Sequence, residues 1–229
     1  MKRRISRWIT GALAVGASSG LLGMTAAMQT AGVTGEAYGV YANTLTGSQA
    51  KAPLATVPTA GGLGDADAAS AGVTGVVQAE NLLSIATGAG DSFDASAEAA
   101  TMAEQINILN GLITAQAITS LASSAISETT VDSDAGGSEV MGLVVNGVAI
   151  TGTPAPNTQV SLPGVGRVVL NEQQRSGDGV NSTGITVNMI HVVLETVIRG
   201  VCTPLGCTPD VTKTTGEIIV GSATSSVVR

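Results

Sequence analysis

Few residues in this chain could carry out acid–base chemistry, and the first of them is the single histidine, His191. It lies in a segment of alternating apolar and polar residues, and an imidazole there could act as a general base. However, no Ser or Cys stands in a recognisable nucleophile elbow, and no carboxylate is marked as a partner for the imidazole. The sequence therefore favours a structural or surface role for His191, and we assign no catalytic residue.

A second candidate is the polar segment 171–173, Asn-Glu-Gln, which Asp178 follows closely. Such a segment could bind a polar ligand, and Glu172 with Asp178 could form the acid/base pair of an exported hydrolase. The simpler interpretation is that the segment ends a strand and leads into a solvated loop. We therefore predict that the protein is not an enzyme, and a hydrolase is the least favoured alternative.

The candidate metal site is the acidic stretch 132–139, which contains Asp132, Asp134 and Glu139. Carboxylates two positions apart beside a glycine can wrap a hard cation such as calcium, which takes several oxygen ligands. Gly136 occupies the position of a third ligand, and Glu139 comes too early for an EF-hand loop. A solvated turn is the favoured interpretation, and calcium is the one candidate cofactor.

Cys202 and Cys207 are the only two cysteines, and a Pro and a Gly near them favour a tight turn. We predict a disulfide that clamps a surface loop of an exported protein. Two thiols and one histidine make a poor zinc site, and the spacing is longer than in a Cys-x-x-Cys redox motif.

The N-terminal residues predict a secretion signal. A basic start is followed by an apolar run, 9–28. Thr25-Ala26-Ala27 and Gly35-Glu36-Ala37 each place small side chains at the two positions that a signal peptidase requires. We predict a signal helix within 1–37, with the cleavage site open, and a single β-rich extracellular domain over 38–229. A retained membrane anchor and a twin-arginine route are the alternatives.

The composition predicts an all-β fold. Hydrophobic residues make up 44% of the chain and aromatic residues 2%, so small and β-branched side chains must build the core. Such a core buries little area per residue, and extensive backbone hydrogen bonding in sheets offsets this. We expect an antiparallel β-sandwich or barrel-like domain with long hairpins.

The net charge of -7 becomes more negative when the basic N-terminus is removed. This excess disfavours nucleic acid, which is bound through Lys and Arg, and disfavours anionic membranes for the same reason. We therefore expect no nucleic-acid partner and, after signal cleavage, no membrane partner.

Asn110-Gly111 is the clearest turn signal, because both central residues of a type I′ turn need positive φ. A two-residue hairpin there pairs Leu109 with Leu112, Ile108 with Ile113, Ile106 with Ala115, Glu104 with Ala117 and Met102 with Thr119. It assigns one face to the core (Ile108, Ile106, Met102, Ala100, Ile113, Ala115, Ala117 and Leu121) and the other to solvent (Asn107, Gln105, Thr101, Thr114, Gln116 and Ser120). An alanine-rich helix over 95–127 is the alternative.

Asn146-Gly147 predicts a second hairpin, between 143–145 and 148–150. Further strands are expected at 38–45, 73–86, 159–162, 167–171, 184–198 and 216–228. Loops are expected where Pro and Gly cluster, at 53–64, 88–91, 153–157, 176–182 and 202–209.

The second half of the chain resembles a known family. The segments that carry the resemblance are 142–150, 162–173, 186–192 and 217–223, with 97–98 and 111–118 also fitting. Their succession is similar to that in bacterial choice-of-anchor P proteins. The resemblance implies an exported β-rich domain attached to the cell surface by a C-terminal sorting signal. Residues 222–229 contain no such motif, so we expect release or noncovalent association with the surface.

These observations favour a non-enzymatic structural or adhesive protein, secreted or at the cell surface. Its expected partners are components of the cell surface or matrix, or further copies of itself. A calcium- or glycan-binding extracellular module is the alternative. Glycan binding usually needs exposed aromatic rings, and only Tyr38, Tyr41 and Phe93 follow the predicted signal.

Overall fold

The computed structural model describes residues 32–58, 61–91, 93–200, 202–203 and 206–229. These residues form strands, turns and loops, and none of them belongs to a helix that could cross a lipid bilayer. The all-β prediction is confirmed. Residues 1–31 of the predicted signal lie outside the described residues.

In chain order the strands are β1 Gly32–Thr44, β2 Gly47–Thr56, β3 Gly62–Val73, β4 Val77–Gly90, β5 Ala95–Ile108, β6 Ile113–Ile126, β7 Val131–Asp134, β8 Glu139–Met141, β9 Val144–Val145, β10 Val148–Ala149, β11 Thr158–Leu162, β12 Gly166–Ser176, β13 Ser182–Ile198, β14 Cys202–Thr203, β15 Gly206–Cys207 and β16 Val211–Val228.

Two antiparallel sheets contain most of these strands. Sheet A has the order β11-β12-β13-β16-β1-β2. Sheet B has the order β10-β9-β6-β5-β4-β3, and the short strands β7 and β8 also pair with β6. The small hairpin β14-β15 lies between β13 and β16 along the chain. The sheets pack face to face, which corresponds to the sandwich alternative of the prediction.

The core between the sheets follows from the small side chains of the sequence. Ala, Val and Ile dominate it, and buried serines are interspersed among them. Ser84 Oγ donates to Pro53 O at 3.0 Å, Ser120 Oγ donates to Val187 O at 3.0 Å, and Ser124 Oγ lies 2.7 Å from Ser225 Oγ. Each bond joins one sheet to the other, so the buried hydroxyls find partners and also hold the layers together.

Glycines let the two sheets approach closely at two points. A Cβ on Gly39 of sheet A would lie 2.3 Å from Leu82 Cδ2, and one on Gly221 would lie 2.4 Å from Ile118 Cδ1. Leu82 and Ile118 of sheet B therefore fill the space that side chains at these positions would occupy. Gly221 also has a φ of 70°, a conformation that favours glycine.

The alternation of inward and outward side chains changes phase partway along several strands. The change occurs at residues with positive φ, namely Asn81 in β4, Gln105 in β5 and Asn171 in β12. In β5, Glu104 and Gln105 are both exposed, and the inward positions switch from odd to even numbers. Such an irregularity turns the remainder of a strand over.

The predicted register of the β5–β6 hairpin is confirmed at the four pairs that lie within the strands, and the helix alternative is excluded. The fifth predicted pair flanks the turn, where Leu112 N–H donates to Leu109 O at 3.3 Å. The predicted faces are correct only near the turn. Beyond Gln105 the prediction is wrong: Met102 is 50% exposed, and Leu121, Ala100 and Ala117 are only partly buried. In their place Thr101 and Ser120 are fully buried, because the phase change directs them inward.

The second predicted hairpin is confirmed, with Val145 opposite Val148 and positive φ at Asn146 and Gly147. The sequence does not predict β2, β3, β7, β8, β14 or β15. The expected loop 202–209 contains the hairpin β14-β15, and the expected loop 53–64 contains the end of β2 and the start of β3. The longest of these strands are β2 and β3. Both are rich in Ala and Gly and poor in β-branched residues, so their sequence lacks the usual strand signal.

The start of the folded domain precedes the predicted boundary at residues 37 and 38. Residues 32–37, assigned to the signal, form the first part of β1. Ala37 is completely buried, opposite Ala55 on one side and Ala223 on the other. Cleavage after Ala37 would therefore remove part of a central strand.

Candidate functional site

The outer face of sheet A brings together the ionisable residues that the sequence could not pair. Glu172 in β12 stands opposite Asn188 in β13, and His191 lies further along the same strand. Glu217 projects from the neighbouring strand β16. We call these four residues the imidazole cluster.

The geometry of the imidazole cluster is that of a cross-strand network. His191 Nδ1 lies 2.9 Å from Glu172 Oε2, and His191 Nε2 lies 3.5 Å from Glu217 Oε2. Asn188 Nδ2 donates to Glu172 Oε2 at 2.7 Å, and Gln174 Nε2 donates to Glu172 Oε1 at 2.9 Å. Glu172 thus accepts hydrogen bonds on both oxygens.

These contacts shift the acidity of both partners. The hydrogen bond from His191 is the main reason that the pKa of Glu172 falls to about 2, with Asn188 and Gln174 adding to it against the effect of burial. The hydrogen bond to Glu172 likewise raises the pKa of His191, and Glu217 adds to the effect while burial opposes it. The pair therefore favours an imidazolium held beside a carboxylate.

The cluster is arranged for holding strands together rather than for removing protons. An imidazolium has no free pair of electrons, so a raised pKa makes His191 a poorer base near neutral pH. Ser222 stands opposite Asn188 and is only 2% exposed, so its hydroxyl is shielded from solvent. The pKa of Tyr38 is raised mainly by burial, which keeps its hydroxyl protonated. We therefore interpret the cluster as a link between β12, β13 and β16.

The same face continues into a second group of contacts on β1 and β2. Lys51 Nζ pairs with Glu36 and lies 4.9 Å from the centre of the Tyr38 ring. Tyr38 and Tyr41 pack edge to face, with ring centres 6.5 Å apart. Tyr38 is 6% exposed, so its ring is not available as a platform for a sugar.

Asp178, the second carboxylate of the hydrolase alternative, is held in a turn by its own hydrogen bonds. Asp178 Oδ1 accepts from the backbone N–H groups of Val180, Asn181 and Ser182, and these bonds lower the pKa of Asp178 well below its usual range. Asp178 thus fixes the turn between β12 and β13. In the polar segment 171–173, Asn171 is buried and donates to Pro154 O, and Gln173 Nε2 donates to Asn171 Oδ1 at 3.0 Å. Glu172 is bonded instead to His191 and Asn188 in the imidazole cluster.

The residues of the predicted calcium site lie on two short strands. Asp132 and Asp134 belong to β7, and Glu139 belongs to β8. Asp134 Oδ2 accepts from the backbone N–H of Gly136 at 2.8 Å, which makes a local turn. Among the described residues, no group of three His, Cys, Asp or Glu side chains is placed to hold a metal ion.

Cys202 and Cys207 are directly opposite each other in the β14–β15 ladder. Directly opposite residues of an antiparallel pair have Cα atoms close enough for a disulfide. The backbone register is therefore compatible with the disulfide, which stays a prediction.

The outer face of sheet B is a second candidate, and the sequence prediction missed it. Four large apolar side chains are exposed there, Leu63 at 61%, Leu83 at 37%, Met102 at 50% and Met141 at 55%. The register sets Leu83 opposite Met102 on adjacent strands. We call this surface the apolar-acidic face. Its carboxylates on β3, β4, β5 and β8, all exposed and all directed outward, are Asp65, Asp67, Glu80, Glu98, Glu104 and Glu139. Beside this face, Asp132 and Asp134 of β7 are also exposed, and Asp132 Oδ1 lies 4.0 Å from Arg175.

The charge of this face is visible in the sequence once it is sought. The stretch 52–166 contains no Lys, Arg or His, and its acidic residues are Asp65, Asp67, Glu80, Asp91, Asp94, Glu98, Glu104, Glu128, Asp132, Asp134 and Glu139. From residue 32 onward, the acidic and basic residues outside that stretch are equal in number (Glu36, Glu172, Asp178, Glu195, Asp210 and Glu217; Lys51, Arg167, Arg175, Arg199, Lys213 and Arg229). The excess negative charge of the folded domain thus belongs to the stretch that builds sheet B.

Comparisons of the chain with family models, with curated proteins and with solved structures found no match. The resemblance to choice-of-anchor P proteins therefore stays a prediction from the sequence.

Proposed function

We propose that this protein is a non-enzymatic structural or adhesive component of the bacterial cell surface or extracellular matrix. The observation that carries the proposal is the apolar-acidic face. An exposed sheet surface with large apolar side chains at its centre is typical of an interaction site. The basic and apolar N-terminus supports export, which would bring this face into contact with surface or matrix components.

The imidazole cluster supports the same proposal from the other side of the sandwich. The single histidine of the chain is bonded to Glu172, and its raised pKa favours a charged, structural state. Glu172 and His191, whose pKa values are shifted by their contact, thus connect neighbouring strands of sheet A. A domain whose strands are linked in this way and that exposes one apolar face fits a structural component better than a hydrolase.

Cell fractionation combined with gene deletion tests this proposal. We expect the chain in the surface or extracellular fraction of the producing cell. We also expect cells without the gene to show weaker attachment or a less cohesive matrix, with recovery when the gene is restored. A chain that remains in the cytoplasmic fraction, or attachment that is unchanged by the deletion, would contradict the proposal.

A further inference from the structure

The apolar-acidic face has a chemistry that restricts what can cover it. Leu83 and Met102 lie side by side at its centre, and Glu98 and Glu104 flank Met102 on the same strand, β5. No ion pair joins any of the six carboxylates of this face to another described residue. A covering partner would bury apolar surface and would meet unpaired negative charge.

One carboxylate pair on this face is arranged unfavourably in the isolated domain. Glu80 of β4 and Glu104 of β5 stand directly opposite each other. Like charges in opposite positions destabilise a sheet. Asn81 Nδ2 donates to Glu104 Oε2 at 2.9 Å and gives it a neutral partner only. A cation placed between these two residues would relieve the repulsion.

Among the described residues, no Lys or Arg forms an ion pair with Glu80 or Glu104. Lys51 is paired with Glu36, Arg167 is paired with Glu195, and Arg175 lies 4.0 Å from Asp132 of β7. A second copy that presented its own apolar-acidic face would bring six further carboxylates against the first six, which opposes association. Anionic lipids and nucleic acids are disfavoured for the same reason.

We infer that the apolar-acidic face binds a polypeptide segment in which Lys or Arg side chains alternate with apolar ones. In an extended segment the apolar side chains all point to one side and can cover the centre of the face. The basic side chains point to the other side, and their length lets the charged ends reach back to the carboxylates at the rim. The apolar side chains would cover Leu83, Met102 and Met141, and the basic ones would neutralise Glu80, Glu98 and Glu104. This inference names the partner of the face on which the proposed function rests.

Peptide binding to the full chain tests the inference. The probe is a short labelled peptide of alternating Lys and Leu, and its controls alternate Glu with Leu and Lys with Ser. Fluorescence anisotropy at low and high salt measures each affinity. We expect the Lys-Leu peptide to bind at least about tenfold more tightly than either control, and to weaken at high salt because exposed charges are screened.

Two pairs of variants locate the binding surface. We expect Glu98→Gln combined with Glu104→Gln to weaken Lys-Leu peptide binding about threefold to tenfold, because exposed ion pairs are individually weak. The charge control is Glu128→Gln, an exposed acid in the turn after β6. We expect a similar loss for Met102→Ser, with Leu45→Ser as the apolar control, since Leu45 is 86% exposed in the β1–β2 turn. Circular dichroism spectra and melting temperatures verify that each variant is folded.

Three results would overturn the inference. The first is equal affinity for the Lys-Leu and Glu-Leu peptides, and the second is an equal loss in the control variants. The third is a domain that binds none of the peptides but self-associates, with Met102→Ser abolishing the association, which would assign the face to a second copy. These results leave the surface-fraction and deletion experiments unaffected, so failure of this inference and failure of the proposed function are distinguishable.

Discussion

Replacing Glu172 by Gln tests whether the imidazole cluster links the strands of sheet A. The substitution keeps the shape of the side chain and removes its charge, so His191 loses the partner at 2.9 Å that stabilises its protonated form. Hydrogen bonds that involve a charged group contribute about 1.5–3 kcal/mol. The side chain of Glu172 is only 13% exposed, so solvent screening reduces this contribution little. We expect a loss of about 2 kcal/mol in the free energy of unfolding near pH 5.5, or ~4–8 °C in melting temperature.

The pH dependence of this loss follows from the two pKa shifts. The pKa of His191 is raised on folding, so its contribution is complete below the unfolded value of 6.5 and is lost as the pH rises through the folded value. The pKa of Glu172 is lowered on folding, so its contribution is present above the unfolded value of 4.5 and is lost as the pH falls towards about 2. The effect of Glu172→Gln should therefore be largest between these two unfolded values.

Urea unfolding at pH 3, 5.5 and 8.5 is the assay. The matched control is Glu217→Gln, because Glu217 lies 3.5 Å from the other imidazole nitrogen and its side chain is 41% exposed. We expect this control to cost less than about 0.5 kcal/mol at every pH. Equal losses for the two variants, or a loss for Glu172→Gln that grows from pH 5.5 to pH 8.5, would refute the reasoning.

Three further predictions concern packing, export and calcium. Gly221→Ala should destabilise the domain by at least about 2 kcal/mol in urea unfolding, since the new methyl group would collide with Ile118 Cδ1; Gly147→Ala, with open space around it, should cost only about 1 kcal/mol. Mass spectrometry of the exported protein should find Met28 at the N-terminus; a start at Tyr38 would contradict the assignment of 32–37 to β1. Chelation of calcium should leave the melting temperature unchanged, and a clear decrease would support the calcium site at 132–139.

The β5–β6 hairpin shows how far the sequence predicts this fold. Asn110-Gly111 specifies a turn by its backbone conformation, and a turn fixes the pairing of both strands. The direction of the side chains depends on every residue keeping the strand conformation. Gln105, with a φ of 50°, does not keep it, and glutamine carries no sequence signal for such a bend. The pairing is therefore predictable from the sequence, whereas the outward direction of Met102 and Leu121 is not.

The same dependence on backbone conformation explains why the sequence does not predict the candidate sites. Glu172 and His191 are nineteen positions apart, and their contact requires the β12–β13 register together with the phase change at Asn171. The apolar-acidic face was hidden because Met102 and Leu121 were assigned to the core. Its charge was open to prediction, because the long stretch without Lys, Arg or His can be counted in the sequence alone.

The uneven distribution of charge between the two sheets also affects how the protein meets its surroundings. Because the excess negative charge belongs to the stretch that builds sheet B, the folded domain has an electric dipole directed across the sandwich. Near a positively charged surface, the field would rotate the molecule before contact so that sheet B arrives first. Near a negatively charged surface it would rotate the other way and present sheet A. Orientation on arrival is therefore set by electrostatics at a distance, and it should be lost when salt shortens the range of the field.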